Sequence, residues 1–318
     1  MKKMLKILLI VVVIVLVVTV ALFAILSYRN KHYYNFVKAD KQIEAQYTAL
    51  GPNEVNYVEF DAENVAFKKY EVWYPSDMKE NANALPLVIL ANGTGITASK
   101  YKAVFKHLAS WGFIVIGNED ENSRTGVSSS ASLDFMLSQN KNSKSVFFGK
   151  IDEDNIGIGG HSQGGVASIN AVTNQDNGRY YKAMFTASAT SSYWGQENQF
   201  GTDWSYDLSK VNIPYLMVAG TGYFDAGTAE DLTATQGQGI SPLWSLKKNY
   251  ATIPDKVTKV MARRANTDHS DMLNHADGYM TAWFMYWLKG EKQAGDAFFG
   301  DEAEILNNAN WQDVMKNR

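Results

Sequence analysis

The chain has 318 residues, of which 46% are apolar and 13% are aromatic, as is typical of a folded globular protein and not of a disordered one. Its formal net charge of −3 gives no electrostatic reason to expect a nucleic-acid partner. The sequence contains no cysteine, which excludes disulfide bonds, thiolate catalysis and zinc–thiolate sites.

The first 28 residues combine lysines with a long apolar run. Residues 7–26 read ILLIVVVIVLVVTVALFAIL without a charge, and a helix of that length spans about 30 Å, the thickness of the hydrocarbon core of a bilayer. The apolar region of a cleaved signal peptide usually has about 7–15 residues, and TVA at 19–21 is a poor cleavage site. We therefore expect residues 1–28 to be an uncleaved transmembrane anchor, with a cleaved signal peptide as the alternative.

Charge is distributed unevenly around this anchor. The net charge is +5 in the first 40 residues and −8 in the remainder, so the basic end suits a membrane and the acidic remainder suits water. We expect a single-pass protein of the cell membrane with its amino terminus inside and its main domain outside the cytoplasm, or a secreted protein if the anchor is cleaved. Residues 29–52 are interpreted as a tether and residues 53–318 as one domain.

That domain shows strand and helix patterns in alternation. Residues 53–60 and 65–75 are rich in β-branched and aromatic residues, which indicates antiparallel strands. Apolar runs that are typical of strands buried on both faces follow, at 85–95, 113–122, 155–160, 181–189, 213–222 and 256–265. Helical patterns lie between them, and this order predicts an α/β fold with a mostly parallel central sheet flanked by helices. In such sheets functional sites form at the carboxyl ends of the strands, where the connections 191–210 and 228–250 begin.

Residues 160–164 read GHSQG and lie between a predicted strand and a predicted helix. They match the pattern G-x-S-x-G, in which a sharp turn strains the serine backbone and lifts its hydroxyl clear of the sheet. Side chains two positions before and after the serine would collide, which explains the two glycines. Ser162 is therefore predicted to be a nucleophile, and the alternative is a serine in an ordinary glycine-rich turn.

A serine hydroxyl is a poor nucleophile at neutral pH and needs a base. His269 follows the last predicted parallel strand on a loop, which is where this topology places the base, whereas His275 lies within the next helical pattern. His161 adjoins the serine and is expected to point away from it. We predict His269 as the base and His275 as a surface or cap-lining histidine.

The base in turn needs a carboxylate that fixes its tautomer and stabilises its charged form. The chain order Ser…Asp…His places this acid between residues 162 and 269. Asp225 is favoured because it follows an apolar strand and a glycine turn in YLMVAGTGYFDAG. Asp231 is the second choice, and Asp203 and Asp207 are less favoured.

The tetrahedral intermediate of acyl transfer needs backbone N–H donors, which form an oxyanion hole. One is expected from Gln163, the residue after the nucleophile, and the other from Thr94 in the loop ANGTG. That loop lacks a complete nucleotide-binding glycine pattern, and the spacing of His269 and His275 fits no zinc motif. No metal or other cofactor is expected.

With these residues placed, residues 53–318 resemble an α/β-hydrolase. They are most similar to the branch that contains dienelactone hydrolases, cutinase-like polyester hydrolases, platelet-activating-factor acetylhydrolases and plant chlorophyllases, through the stretches LANGTGITASKY, GGHSQGG, GTGYFDAG and HSDM. The resemblance implies a catalytic domain with a Ser-His-Asp triad and two oxyanion donors at the residues named above. ANGTG departs from the proline–glycine turn of the polyester hydrolases, so a polymer substrate is not implied.

In these relatives an aromatic residue after the sixth strand helps to form the acyl pocket. Tyr193 or Trp194 occupies that place, and Trp194 is expected to contact the substrate. The resemblance thus implies a serine hydrolase that cleaves small-molecule or lipid-like carboxylic esters with a small or medium acyl group. The alternatives are a peptidase or amidase that uses the same triad, and a hydrolase-fold binding protein without catalysis.

Overall fold

The computed structural model describes residues 2–80 and 82–318, in which strands and helices alternate. The strands are β1 (Val55–Asp61), β2 (Lys69–Pro75), β3 (Leu85–Ala91), β4 (Ile114–Asn118), β5 (Ile151–His161), β6 (Tyr181–Ala187), β7 (Tyr215–Gly220), β8 (Lys259–Arg264) and β9 (Trp311–Lys316). The α-helices are α1 (Lys2–Lys31), α2 (Gln42–Thr48), α3 (Lys102–Ser110), α4 (Val127–Lys141), α5 (Gln163–Asn174), α6 (Tyr223–Ala226), α7 (Leu243–Thr252), α8 (Met272–His275), α9 (Asp277–Lys289) and α10 (Lys292–Gly295). Short 3-10 helices are formed by Tyr33–Asn35, Ala98–Lys100, Ser123–Thr125, Asp176–Tyr180, Thr202–Trp204, Leu208–Lys210, His269–Asp271 and Glu304–Asn307.

The strands form one sheet in the order β1-β2-β4-β3-β5-β6-β7-β8-β9. In this sheet order, the strands from β4 to β8, which include β3, are parallel to one another. By contrast, β2 is antiparallel to both of its neighbours, and β9 is antiparallel to β8. The prediction of a mostly parallel sheet that begins with antiparallel strands is confirmed. Since parallel strands end at the same edge, the loops after β3, β5, β7 and β8 meet there.

Side chains alternate between the two faces of the central strands. On β3, Val88 and Leu90 belong to the apolar cluster that contains α3 and α9, and Leu87 and Ile89 belong to the cluster that contains α4. All seven residues of β3 are buried, which explains its uninterrupted apolar sequence. The helices on both faces therefore hold the carboxyl edge of the sheet rigidly in place.

The amino-terminal helix α1 stands apart from this core. Among the described residues it is the one helix long and apolar enough to cross a membrane, over Lys3–Lys31, and none of that apolar window is buried in the protein. An uncleaved anchor and a signal peptide both fit this length and composition.

Residues 29–52, which we interpreted as a tether, are packed against the domain. Glu44 of α2 is 1% exposed, and its carboxylate accepts hydrogen bonds from Arg264, Asn308 and Trp311. Tyr33 is also buried, and its hydroxyl donates to Asp277 at the start of α9. The polar composition of the segment favoured a tether, but Glu44 is paired within the core and Tyr33 is buried there.

Candidate active site

Ser162 lies at the turn between β5 and α5, with φ 59° and ψ −121°. Positive φ is strained for a residue with a side chain, and it marks the sharp turn that the sequence predicted. A Cβ atom on Gly160 would lie 2.2 Å from the carbonyl oxygen of Gly164, and one on Gly164 would lie 2.2 Å from that of Ala91. The close backbone approach on both sides therefore requires glycine at both positions.

Three polar groups from separate loops form a hydrogen-bonded series at the carboxyl edge. The Nε2 atom of His269 lies 3.0 Å from Ser162 Oγ, and its Nδ1 atom lies 2.7 Å from Asp225 Oδ1. Because an ionised carboxylate only accepts, Nδ1 carries the proton and Nε2 is free to accept the serine hydroxyl. The structure thus brings together the residues predicted as nucleophile, base and acid, in the arrangement that a nucleophile, its base and its orienting carboxylate require.

The carboxylate of Asp225 is fully buried and has further donors. Its Oδ2 atom accepts from the backbone N–H of Gly220 at 2.6 Å and from the hydroxyl of Ser188 at 2.5 Å. Hydrogen bonds of this kind fix the orientation of the carboxylate. Ser188, at φ 49° just after β6, was missed by sequence reasoning because a serine in TASATSS carries no distinctive signal.

The other candidate acids and base lie elsewhere. Asp231 is exposed and accepts hydrogen bonds from Thr233, and Asp207 similarly caps Ser209. Asp203 pairs with Arg124 at 2.5 Å. The imidazole of His275 bonds to Thr267 and does not join the series. Within residues 2–80 and 82–318, no group of three or more histidine, aspartate or glutamate side chains is placed to hold a metal ion.

Asp268 connects the loop of Asp225 to the loop of His269. Its Oδ1 atom accepts from the backbone N–H groups of His269 at 2.8 Å and Asp225 at 3.0 Å, and Oδ2 accepts from that of Phe224 at 3.1 Å. Burial raises the pKa of this carboxyl, but the three N–H donors outweigh burial and leave the pKa below its ordinary value. Sequence reasoning missed Asp268, although its position directly before the base is a signal.

His161, which was expected to point away from Ser162, contacts His269. Its Nε2 atom donates to the backbone carbonyl of His269 at 2.7 Å, and the two rings are 4.6 Å apart. Burial and the neighbouring His269 lower the pKa of His161 to about 4. The imidazole is therefore neutral at pH 7, and it holds the backbone of the base from the side of the nucleophile turn.

The predicted oxyanion donors, Thr94 and Gln163, are next to each other. The Gln163 side chain donates from Nε2 to Thr94 Oγ1 at 2.8 Å and accepts from the Arg124 backbone N–H at 3.1 Å. Neither the Thr94 nor the Gln163 backbone N–H donates to another group in the part of the chain that the structure describes. The hydrogen bond between the Gln163 and Thr94 side chains fixes the two loops relative to each other, and both backbone N–H groups stay available to a ligand.

The predicted substrate contacts, Tyr193 and Trp194, lie in the connection after β6. The indole of Trp194 donates to the carbonyl of Gly239 at 3.0 Å and stacks on Phe200 at 4.6 Å. Among the described residues, neither aromatic ring is in hydrogen-bond or ring contact with the Ser162–His269–Asp225 series. Trp194 thus joins the connections 191–210 and 228–250, and its contact with substrate stays a prediction.

Comparison with known proteins agrees with this geometry. The family model described as PET hydrolase-like matches residues 40–293. No curated protein matches the chain. The matched family consists of carboxylic ester hydrolases of the serine hydrolase type and belongs to the α/β-hydrolase superfamily of polyesterases, so the predicted superfamily, fold and enzyme class are confirmed. The chain is a member of the PET hydrolase-like family of α/β-hydrolases.

Proposed function

We propose that this esterase is anchored in the membrane by α1, has its catalytic domain outside the cytoplasm, and uses Ser162, His269 and Asp225 as a triad. The observation that carries the proposal is the unbroken series of hydrogen bonds from Asp225 through His269 to the strained Ser162. Each group has the role that its chemistry allows: hydroxyl, imidazole and buried carboxylate.

Catalysis begins when Ser162 Oγ attacks the ester carbonyl carbon while His269 Nε2 takes the hydroxyl proton. The imidazolium is stabilised by Asp225, and it returns the proton to the alcohol that leaves, so that an acyl-enzyme forms. Water then attacks the acyl group with His269 again as base, and the carboxylic acid is released. No step requires a cofactor.

In each tetrahedral intermediate, the negative charge on the former carbonyl oxygen needs hydrogen-bond donors. The free backbone N–H groups of Thr94 and Gln163 are assigned this role, and Gln163 is also the first residue of α5. The positive end of the helix dipole adds to their effect. The bridge between the two side chains supports the assignment because it holds the loops in fixed relation before substrate binds.

Support for the membrane location comes from α1 and the charge distribution. The apolar run is long enough to span a bilayer, and the acidic remainder of the chain follows it. A catalytic domain outside the cytoplasm follows if the lysine-rich amino terminus stays inside.

The test is hydrolysis of chromogenic esters, from acetyl to long-chain acyl, by the full-length chain in detergent. Ser162→Ala is expected to lose at least about a thousandfold in kcat/KM, because no other group forms the acyl-enzyme. Ser138→Ala is the matched control, since that serine is exposed on α4 and its hydroxyl, among the described residues, donates only to the carbonyl of Phe135. Equal activity of the wild type and Ser162→Ala would overturn the proposal.

A further inference from the structure

The apolar run of α1 ends close to the catalytic domain. The run ends at Leu26, and every residue from Met4 to Leu26 is exposed, so the domain lies beyond the end of the run and not beside it. Asn30 is four residues further along the helix, which is about 6 Å. A bilayer has about 30 Å of hydrocarbon and about 40–45 Å in total, so each headgroup layer is about 5–8 Å thick. Asn30 therefore lies at the depth of the lipid headgroups.

The same asparagine lines a cavity that also contains the chain neighbours of Ser162 and His269. A cavity of about 300 Å³ is lined by Asn30, by Lys100 and Tyr101 before α3, and by His161, Ser270 and Asp271. His161 directly precedes the nucleophile, and Ser270 directly follows the base. The carboxyl edge of the sheet, which holds Ser162, is thus next to the point where α1 leaves the bilayer.

This placement is fixed by buried contacts just after α1. The hydroxyl of Tyr33 donates to Asp277, and the guanidinium of Arg264 donates to the carbonyl of Lys38 and pairs with Glu44 at 2.6 Å. Only His32 separates the end of α1 from Tyr33. Because a single residue joins α1 to the buried Tyr33, the domain does not swing freely about α1 and keeps one edge toward the membrane.

The side chains on this edge suit the interface of a bilayer. Tyr223 and Phe224 are 69% and 67% exposed, and the backbone N–H of Phe224 is bound to Asp268 beside the base. Tyr28 is exposed near the end of α1. Aromatic rings favour the membrane–water interface, and Lys100 in the cavity is a cation that would attract an anionic headgroup.

We infer that the active site opens toward the bilayer that holds α1, and that its substrate is a lipid ester resident in that membrane. This inference rests on the proposed function and names its substrate class. In this reaction Ser162 Oγ bonds to the lipid acyl carbon, the ester C–O bond breaks, and the lysolipid alkoxide takes the proton from His269. Water then releases the fatty acid. The sequence resemblance implied a substrate with a small or medium acyl group. A lipid with a long acyl group also fits if its tail stays in the bilayer.

The test raises the domain away from the bilayer without changing the domain. A polar helical heptad inserted between Leu26 and Ser27 lengthens α1 by about 10 Å and turns the domain by only about 20°. The matched control carries the same heptad between Lys3 and Met4, at the other end of the span. Full-length chains are placed in vesicles of phosphatidylcholine and phosphatidylglycerol, and fatty-acid release is compared with hydrolysis of a water-soluble acetyl ester.

The inserted heptad after Leu26 is expected to lower fatty-acid release at least about tenfold, because the substrate leaves the reach of the site, while acetyl-ester hydrolysis is unchanged. Equal fatty-acid release from both insertion variants would overturn the inference. Acetyl-ester hydrolysis without any fatty-acid release by the wild type would overturn it too, and the proposed function would stand. Failure to hydrolyse either ester would overturn the proposed function itself.

Discussion

Asp225 and Asp231 follow the same strand, but their surroundings differ. Asp225 is buried and bonds to His269, whereas Asp231 is exposed and bonds to Thr233. Sequence order alone left both open as the acid. The geometry favours Asp225, because only a carboxylate in contact with the imidazole holds the tautomer that leaves Nε2 free for the serine.

Replacing each of the two aspartates in turn shows which one is needed for activity. Asp225→Asn is expected to lower kcat about 10⁴-fold, because an amide favours the tautomer with the proton on Nε2, while Asp231→Asn leaves kcat unchanged. Both variants are assayed with a short chromogenic ester, with far-UV circular dichroism as the check on folding. The opposite ranking would show that Asp225 is not the acid.

Asp268 is expected to position the acid and the base. Asp268→Ala removes the acceptor of three backbone N–H groups, so kcat is expected to fall by about 10–100-fold with little change in KM. Asp268→Asn keeps the oxygen that serves Asp225 and His269, and it is expected to recover most of the loss. Asp207→Ala, which removes a similar loop cap on Ser209, is the control. An alanine variant as active as the wild type would exclude this role.

The residues of the proposed triad and those that support them differ in how well their positions could be predicted. Ser162, Asp225 and His269 follow from strand order, because parallel strands bring their carboxyl ends together whatever the loops do. The contact of Ser188 depends on its positive φ, and the contact of His161 depends on a 2.7 Å approach to the carbonyl of His269. No residue pattern encodes either feature.

At the scale of secondary-structure elements, α2 was the least predictable. Residues 29–52 carry enough charge to read as a tether, but Glu44 pairs with Arg264, which is 220 residues away in the sequence. A pairing at that separation follows only from the assembled sheet. The central strands were predicted well because an apolar run buried on both faces has a direct sequence signal.

One contact that joins α2, α3 and α9 makes the stability of the folded state depend on pH. His107 of α3 is fully buried, and its Nε2 atom donates to the carbonyls of Thr48 and Ala49 at 3.1 and 2.9 Å. Asp277 of α9 lies 2.8 Å from Nδ1, as an ion pair that lacks the angle of a well-directed hydrogen bond. Burial lowers the pKa of His107, but Asp277 and the carbonyls outweigh burial and leave it raised.

The sign of the effect follows from the raised pKa. Protonated His107 stabilises the folded state fully below the unfolded-state pKa, about 6.5, and this contribution is lost as pH rises through the higher folded-state pKa. The melting temperature of the detergent-solubilised chain is expected to fall over that range, and His107→Gln is expected to flatten the dependence. His275→Gln is the control, since burial and Arg264 lower the pKa of His275. An unchanged slope in His107→Gln would contradict this account.

At the scale of the whole molecule, the fold class was predicted from the alternation of strands and helices, but the edge of the sheet formed by β9 was not. β9 has the partly polar sequence WQDVMK and pairs antiparallel with β8, which a local pattern does not indicate. The position of the end of α1 at the cavity lined by His161 and Ser270 was also beyond sequence reasoning. It depends on the buried contacts of Tyr33 and Arg264, which join the two ends of the chain.

The central claim is that Ser162 is the nucleophile of a membrane-anchored esterase. The most direct measurement is to treat the full-length chain with a fluorophosphonate, which forms a covalent bond to an activated serine, and to locate the adduct by peptide mass spectrometry. The account predicts a single adduct on Ser162 that is absent from Ser162→Ala and weakened in Asp225→Asn. An adduct on another serine, or none on a folded chain, would contradict it.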